Sequence, residues 1–137
     1  MFFLKLIGHL PLFVLYRIAT LSKWLLYFVF SYRKNVIVNN IKNSFPELSN
    51  SQVNALTIKF YGYFTDLMVE FFRGSAISKK EMLERVSLVN EQIITNYLDK
   101  GIPVVLVAGH QGNWEWAVHR LALSENLYDI VYQKLSS

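Results

Sequence analysis

From Phe2 to Tyr32 the chain is almost unbroken in its apolar character, and the exceptions fall in phase. Tyr16, Thr20, Lys23, Tyr27 and Ser31 follow one another at steps of four, three, four and four, which is one face of a helix. Leu12, Phe13, Leu15, Ile18, Leu21, Leu25, Leu26, Phe28 and Val29 fill the rest of the wheel. A narrow polar stripe on a wide apolar cylinder describes a helix embedded in lipid or packed against it, and Pro11 can open that helix without losing a hydrogen bond. The stretches free of Lys, Arg and His, Leu10–Tyr16 and Trp24–Tyr32, fall short of the ~18–20 uncharged residues of a plain membrane span. The aromatic Tyr27–Tyr32 stretch offers no small-residue cleavage site, which argues against a signal peptide. The pattern predicts a membrane-associated helix over 1–32, either spanning or lying in the interface.

Beyond it, Tyr32 to Ser44 reads as a short helix ended by Phe45-Pro46, because proline disfavours helix in the residue before it. Ser49 with Gln52 forms a capping box for the next helix, in which Val53, Leu56, Phe60, Phe64, Leu67 and Phe71 keep helical spacing and predict a buried face. Gly74 is its stop. Ser78 with Glu81 opens another short helix. The period then changes. Val86–Leu88 suggests a strand, Glu91–Lys100 a helix closed by Gly101, and Ile102–Ala108 a continuous apolar run rich in β-branched residues, expected as a strand buried on both faces. Trp114–Ser124 reads as helix and Tyr128–Tyr132 as a strand. The order predicts an α/β fold: an N-terminal membrane helix, a helical segment, then a βαβαβ unit with right-handed crossovers. A three-stranded parallel sheet with one side thinly covered also predicts that 33–137 is a partial domain, the front part of something longer.

Composition narrows the function. Of 137 residues 53% are hydrophobic and 18% charged, a balance that excludes a disordered chain. The absence of cysteine excludes a disulfide scaffold, a thiolate metal site and a Cys nucleophile. The net charge of +4 is unevenly spread: six basic residues and no acid precede Pro46, and eight basic and ten acidic residues follow. A basic segment that is also the most apolar part of the chain fits anionic lipid better than nucleic acid.

The residues that could do chemistry are Gly109-His110-Gln111-Gly112-Asn113-Trp114-Glu115, between the expected buried strand and a helix. Ligands of open α/β sheets bind at the carboxyl ends of strands. Glu115, in a first helical turn, is favoured by the helix dipole and can reach back towards His110. A neutral His held by a carboxylate is a general-base pair. No Ser or Cys adjoins it and no nucleophile elbow is present, so the proton would come from the substrate, such as an alcohol attacking a thioester. On the residues alone, a loop His bonded to backbone accounts for the pattern as well. A metal-dependent hydrolase using His110, Glu115 and His119 is a rival, although the His-Glu-x-x-His pattern is missing. Gly109-x-x-Gly112 falls short of a dinucleotide fingerprint.

Two stretches resemble a known family. Arg33-Lys34-Asn35-Val36, Asn40-Ile41 and Phe45-Pro46-Glu47 are similar to the early signature of the bacterial late acyltransferases of lipid A biosynthesis, and His110 to Glu115 resembles their catalytic motif of a His followed five residues later by an acid. Phe60 to Arg73, with Glu70, resembles the helix between them. The resemblance implies a glycerolipid-acyltransferase-like fold of which this chain is the first half. It implies an enzyme of the bacterial inner membrane, active on the cytoplasmic side, that moves an acyl chain from acyl carrier protein or acyl-CoA to a lipid hydroxyl. His110 would be the base and Glu115 its partner, with substrate contacts from Gln111, Gly112, Asn113, Arg33 and Lys34. It implies no cofactor beyond the acyl thioester, no metal and no nucleic acid. Family members are about twice this length, so a truncated, non-catalytic membrane-anchored module is the alternative.

Overall fold

The computed structural model describes residues 6–124 and Asp129, and the chain divides after Ala76 into two compact units. The first is built from α1 (Leu12–Trp24), a π-helical turn (Leu25–Val29), α2 (Lys34–Ser44) and α3 (Asn50–Gly74). Pro11 caps α1 from one position outside it. Ser49 and Gln52 close a full capping box on α3, the serine hydroxyl accepting from the Gln52 N–H and the glutamine oxygen accepting from the Ser49 N–H. That reciprocal pairing satisfies two orphan donors at once, which is why α3 starts where the sequence places it.

α3 is the spine of this unit, and α1 lies antiparallel along it. Tyr16 Oη donates to Glu70 Oε1 at 2.7 Å and, nearly three turns of α1 further on, Tyr27 Oη donates to Asn54 Oδ1 at 2.7 Å. Two tyrosines of the expected polar stripe are thus turned onto α3, while Thr20 and Ser31 stay exposed. Leu15 and Ala19 are buried with Val69, and Tyr27, Ile37 and Tyr61 form a second cluster that joins α2 to the same spine. Gly8 is buried against the end of α3, where an added Cβ would stand 2.5 Å from the Phe72 carbonyl oxygen. That closeness lets Arg73 Nη1 donate to the Gly8 carbonyl at 2.8 Å.

The buried face of α3 differs from the expected one. Val53, Thr57, Tyr61, Thr65 and Val69 are buried, whereas Phe60 and Phe71 are exposed. Polar side chains can occupy this stripe because their hydroxyls are satisfied: Thr57 donates to the Val53 carbonyl and Thr65 to that of Tyr61 within the helix, and Tyr61 to that of Tyr32 outside it. A hydrogen-bonded hydroxyl loses most of its burial penalty, and a threonine lets a neighbouring helix approach more closely than a phenylalanine would.

The second unit, from Ile77, holds α4 (Lys79–Arg85), α5 (Glu91–Leu98) and α6 (Trp114–Leu121). Ser78 caps α4 by accepting from the Glu81 N–H, and Gly101 follows α5 at φ +70°, where a residue without Cβ is unstrained. The core is Ile77, Met82 and Trp116, with Val86 and Leu123 against it.

The expected βαβαβ unit is not found: among the described residues there is no strand, and every regular element is helical. Val86–Leu88 is the exit from a helix rather than a strand. The Val86 N–H donates to the Met82 carbonyl, and the Val86 carbonyl accepts from Arg120 Nε at 3.1 Å, so neither group is left for a ladder. Ile102–Ala108 has no regular secondary structure, and Val105 and Val107 are 86% and 93% exposed. An apolar, β-branched run becomes a strand only by pairing with neighbours, and the described residues supply none. Tyr128–Tyr132, apart from Asp129, lies outside the described residues.

Candidate active site

The loop from Gly109 to Asn113 and the first turn of α6 carry the residues of interest. Gly109 and Gly112 shape it: the Gln111 N–H donates to the Gly109 carbonyl at 2.8 Å, and Gly112 sits at φ +65°. The tight turn reverses the chain and delivers it to Asn113. There the side-chain oxygen accepts the Trp116 N–H at 3.0 Å and caps α6. Asn is among the strongest N-cap residues, a signal present in the sequence and absent from a reading that assigned Asn113 to substrate alone.

α6 is fixed at its other end too. Arg120, whose side chain is 14% exposed, donates to the Val86 carbonyl and lies 3.5 Å from Glu91 Oε2. Between the two anchors Trp116 is buried in the core of the unit. Glu115, half-buried in the first turn, is therefore presented by a rigid element. His110 is exposed on the loop, and its ring packs edge-to-face with that of Trp114, with centroids 4.8 Å apart and planes at 68°.

The structure thus brings His110, Gln111, Gly112, Asn113 and Glu115 onto one short loop and helix start. No hydrogen bond or ion pair joins His110 to Glu115 among the described residues. His110, Glu115 and His119 do not converge as a metal-binding group there either. Arg33 and Lys34 belong to the first unit, at a sharp elbow between the π-helical turn and α2. Ser31 and Arg33 both adopt left-handed backbone there, at φ 46° and 51°, a conformation costly for residues with a Cβ. Tyr61 holds the elbow through the Tyr32 carbonyl at 2.7 Å, and Lys34 Nζ stands 4.0 Å from the centre of the Tyr27 ring. A shallow depression lined by Ser31, Arg33, Lys34, Asn35 and Val36 opens beside it.

Comparison with known proteins decides the ancestry. The sequence model of one family, bacterial lipid A biosynthesis acyltransferase, matches residues 1–136. The chain belongs to that family. It is an acyltransferase of lipid A biosynthesis, from a family of bacterial, membrane-associated proteins. No curated protein and no solved structure matches it. α1 and the π-helical turn, Leu12–Val29, form one continuous stretch long and apolar enough to cross a membrane, with 17% of it buried. In this lipid A acyltransferase Leu15 and Ala19 of that stretch pack against Val69 of α3, and Phe13, Leu21 and Phe28 are exposed.

Proposed function

We propose that the enzyme transfers a fatty acyl chain from acyl carrier protein, or from acyl-CoA, to a hydroxyl of a lipid A precursor or related lipid, with His110 as general base and Glu115 as its partner. The reaction balances without a cofactor. The acceptor hydroxyl oxygen attacks the thioester carbonyl carbon as the imidazole takes its proton. The C–S bond then breaks and the imidazolium returns the proton to the departing thiolate, leaving an ester and a thiol. Glu115 stabilises the imidazolium in between.

One observation carries the reading: within a chain of this family, the His and the acid five residues on stand at a tight loop and the first turn of a helix anchored at both ends. The developing oxyanion needs donors, which the N–H groups of Gln111 and Gly112 supply once Gln111 releases the Gly109 carbonyl. Asn113, whose side-chain oxygen caps α6, stands at the same loop as a substrate contact. Arg33 and Lys34, at the strained elbow, suit a phosphorylated acceptor. The exposed apolar face of α1, with basic residues and no acid before Pro46, suits the anionic cytoplasmic leaflet of the inner membrane.

The test is acyl transfer by the protein purified from the membranes of its host, with lipid A precursor and acyl carrier protein thioester. His110→Ala is expected to lower turnover at least ~100-fold, within the range of a lost general base, while membrane binding survives. Turnover unchanged in that variant overturns the assignment of the base.

A further inference from the structure

We propose that Trp114 is the positioning residue of His110: its indole, rather than the Glu115 carboxylate, sets the orientation of the imidazole before substrate arrives. The inference rests on the reading of His110 as the base and adds to it the group that holds that base in place.

A general base must present one nitrogen to the substrate proton within hydrogen-bond reach, and a side chain on an exposed loop has rotamers to lose before it can do so. The loop itself does little to restrict this ring. A Cβ added at Gly112 would meet nothing within 4 Å, and one at Gly109 would meet only the Gln111 side chain, at 3.9 Å. The usual device, a carboxylate hydrogen-bonded to the imidazole, is not engaged: among the described residues no bond joins His110 to Glu115. The packing partner that remains is Trp114, edge-to-face at 4.8 Å and 68°, the geometry that ring quadrupoles favour.

Trp114 is also well placed to hold rather than follow. It is the first residue of α6, where Asn113 caps the helix, Trp116 two residues on is buried, and Arg120 ties the last turn to Val86 and Glu91. The core of the unit thus holds the backbone that carries the indole, itself 40% exposed, and the imidazole packs on that indole. Glu115, on the same turn, then has to engage only an imidazolium already in place.

The deciding experiment is nuclear magnetic resonance on the 137-residue chain in detergent micelles, with histidine ring protons assigned by His110→Gln. A cross-relaxation contact between the His110 ring and the Trp114 indole is expected, with ring-current shifts that collapse in Trp114→Leu and persist in part in Trp114→Phe. Absence of that contact in the unsubstituted protein overturns the proposal whether or not any variant folds. In the acyl-transfer assay, Trp114→Leu is expected to lower kcat about three- to tenfold, the size of an aromatic pair, with KM within about twofold, and Trp114→Phe to restore most of it. Equal damage from Phe and Leu overturns it, because an aromatic ring would then not be what matters. If His110→Ala transfers as well as the unsubstituted enzyme, the base assignment fails instead, and the ring contact is still decided by the resonance measurement.

Discussion

Replacing Asn113 with alanine removes the acceptor of the Trp116 N–H at the start of α6. Such N-cap losses cost ~0.5–2 kcal/mol, about 1 in the middle of the range. α6 has only eight residues, so one cap is a large share of what holds its first turn. If that turn opens locally, 1 kcal/mol corresponds to roughly fivefold faster amide exchange at Trp116. Asn113→Asp keeps an oxygen in the same place and adds a negative charge at the helix N-terminus, which is favourable by a few tenths of a kcal/mol or more. Exchange should therefore run faster in the alanine variant and at or below the original rate in the aspartate variant. The same pair separates the cap from the amide: aspartate restores the cap but not the NH2, so acyl transfer that stays low in a well-capped Asn113→Asp enzyme ties turnover to the NH2 rather than to the cap. Exchange at Trp116 that is identical in all three proteins would refute the capping argument.

In the first unit, Tyr61→Phe leaves the Tyr32 carbonyl without its buried donor, at a cost of about 1–2 kcal/mol. Urea denaturation monitored by circular dichroism should show that loss, along with faster amide exchange in Lys34–Ile37; an unchanged midpoint would mean the elbow is held by something else. Burial, and then the neighbouring Glu70, raise the Asp66 carboxyl above its ordinary value, with Lys23 opposing. A raised carboxyl favours the folded state while it is protonated, and that contribution fades as pH rises through its folded value. Asp66→Asn should thus raise the melting temperature at pH 7 and make no difference at pH 3; a variant less stable at pH 7 would show that the attraction of Lys23 outweighs burial.

What was legible in the sequence was what short-range chemistry decides. Ser49 with Gln52, Ser78 with Glu81, and Phe45 before Pro46 each fix a helix end through groups within four residues, and each end is where those residues place it. The buried face of α3 was not legible, because hydrophobicity ranks Phe60 and Phe71 above Thr57 and Thr65. What settles the matter is that a threonine can return its hydroxyl to its own helix and admit a neighbour. The strands failed for a different reason. Val86–Leu88 has strand composition, but its backbone groups are taken by Met82 and by Arg120, the latter 34 residues away. At the site, the loop and the helix start could be read directly. The contact of His110 with Trp114 was not, since a four-residue spacing joins two rings only after Gly112 has turned the chain.

The seam between α1 and α3 has a consequence in time. It joins Tyr16 to a carboxylate 54 residues later, and synthesis proceeds at ~5–20 residues per second, so roughly 3–10 s separate the two ends of that bond. Throughout that interval the first helix has left the ribosome's active centre while its docking surface on α3 is still incomplete. α1 waits through it with the face that will meet α3 uncovered. Assembly of this unit therefore depends on a late-arriving helix, and a pause in translation between Ser49 and Gly74 would prolong the wait.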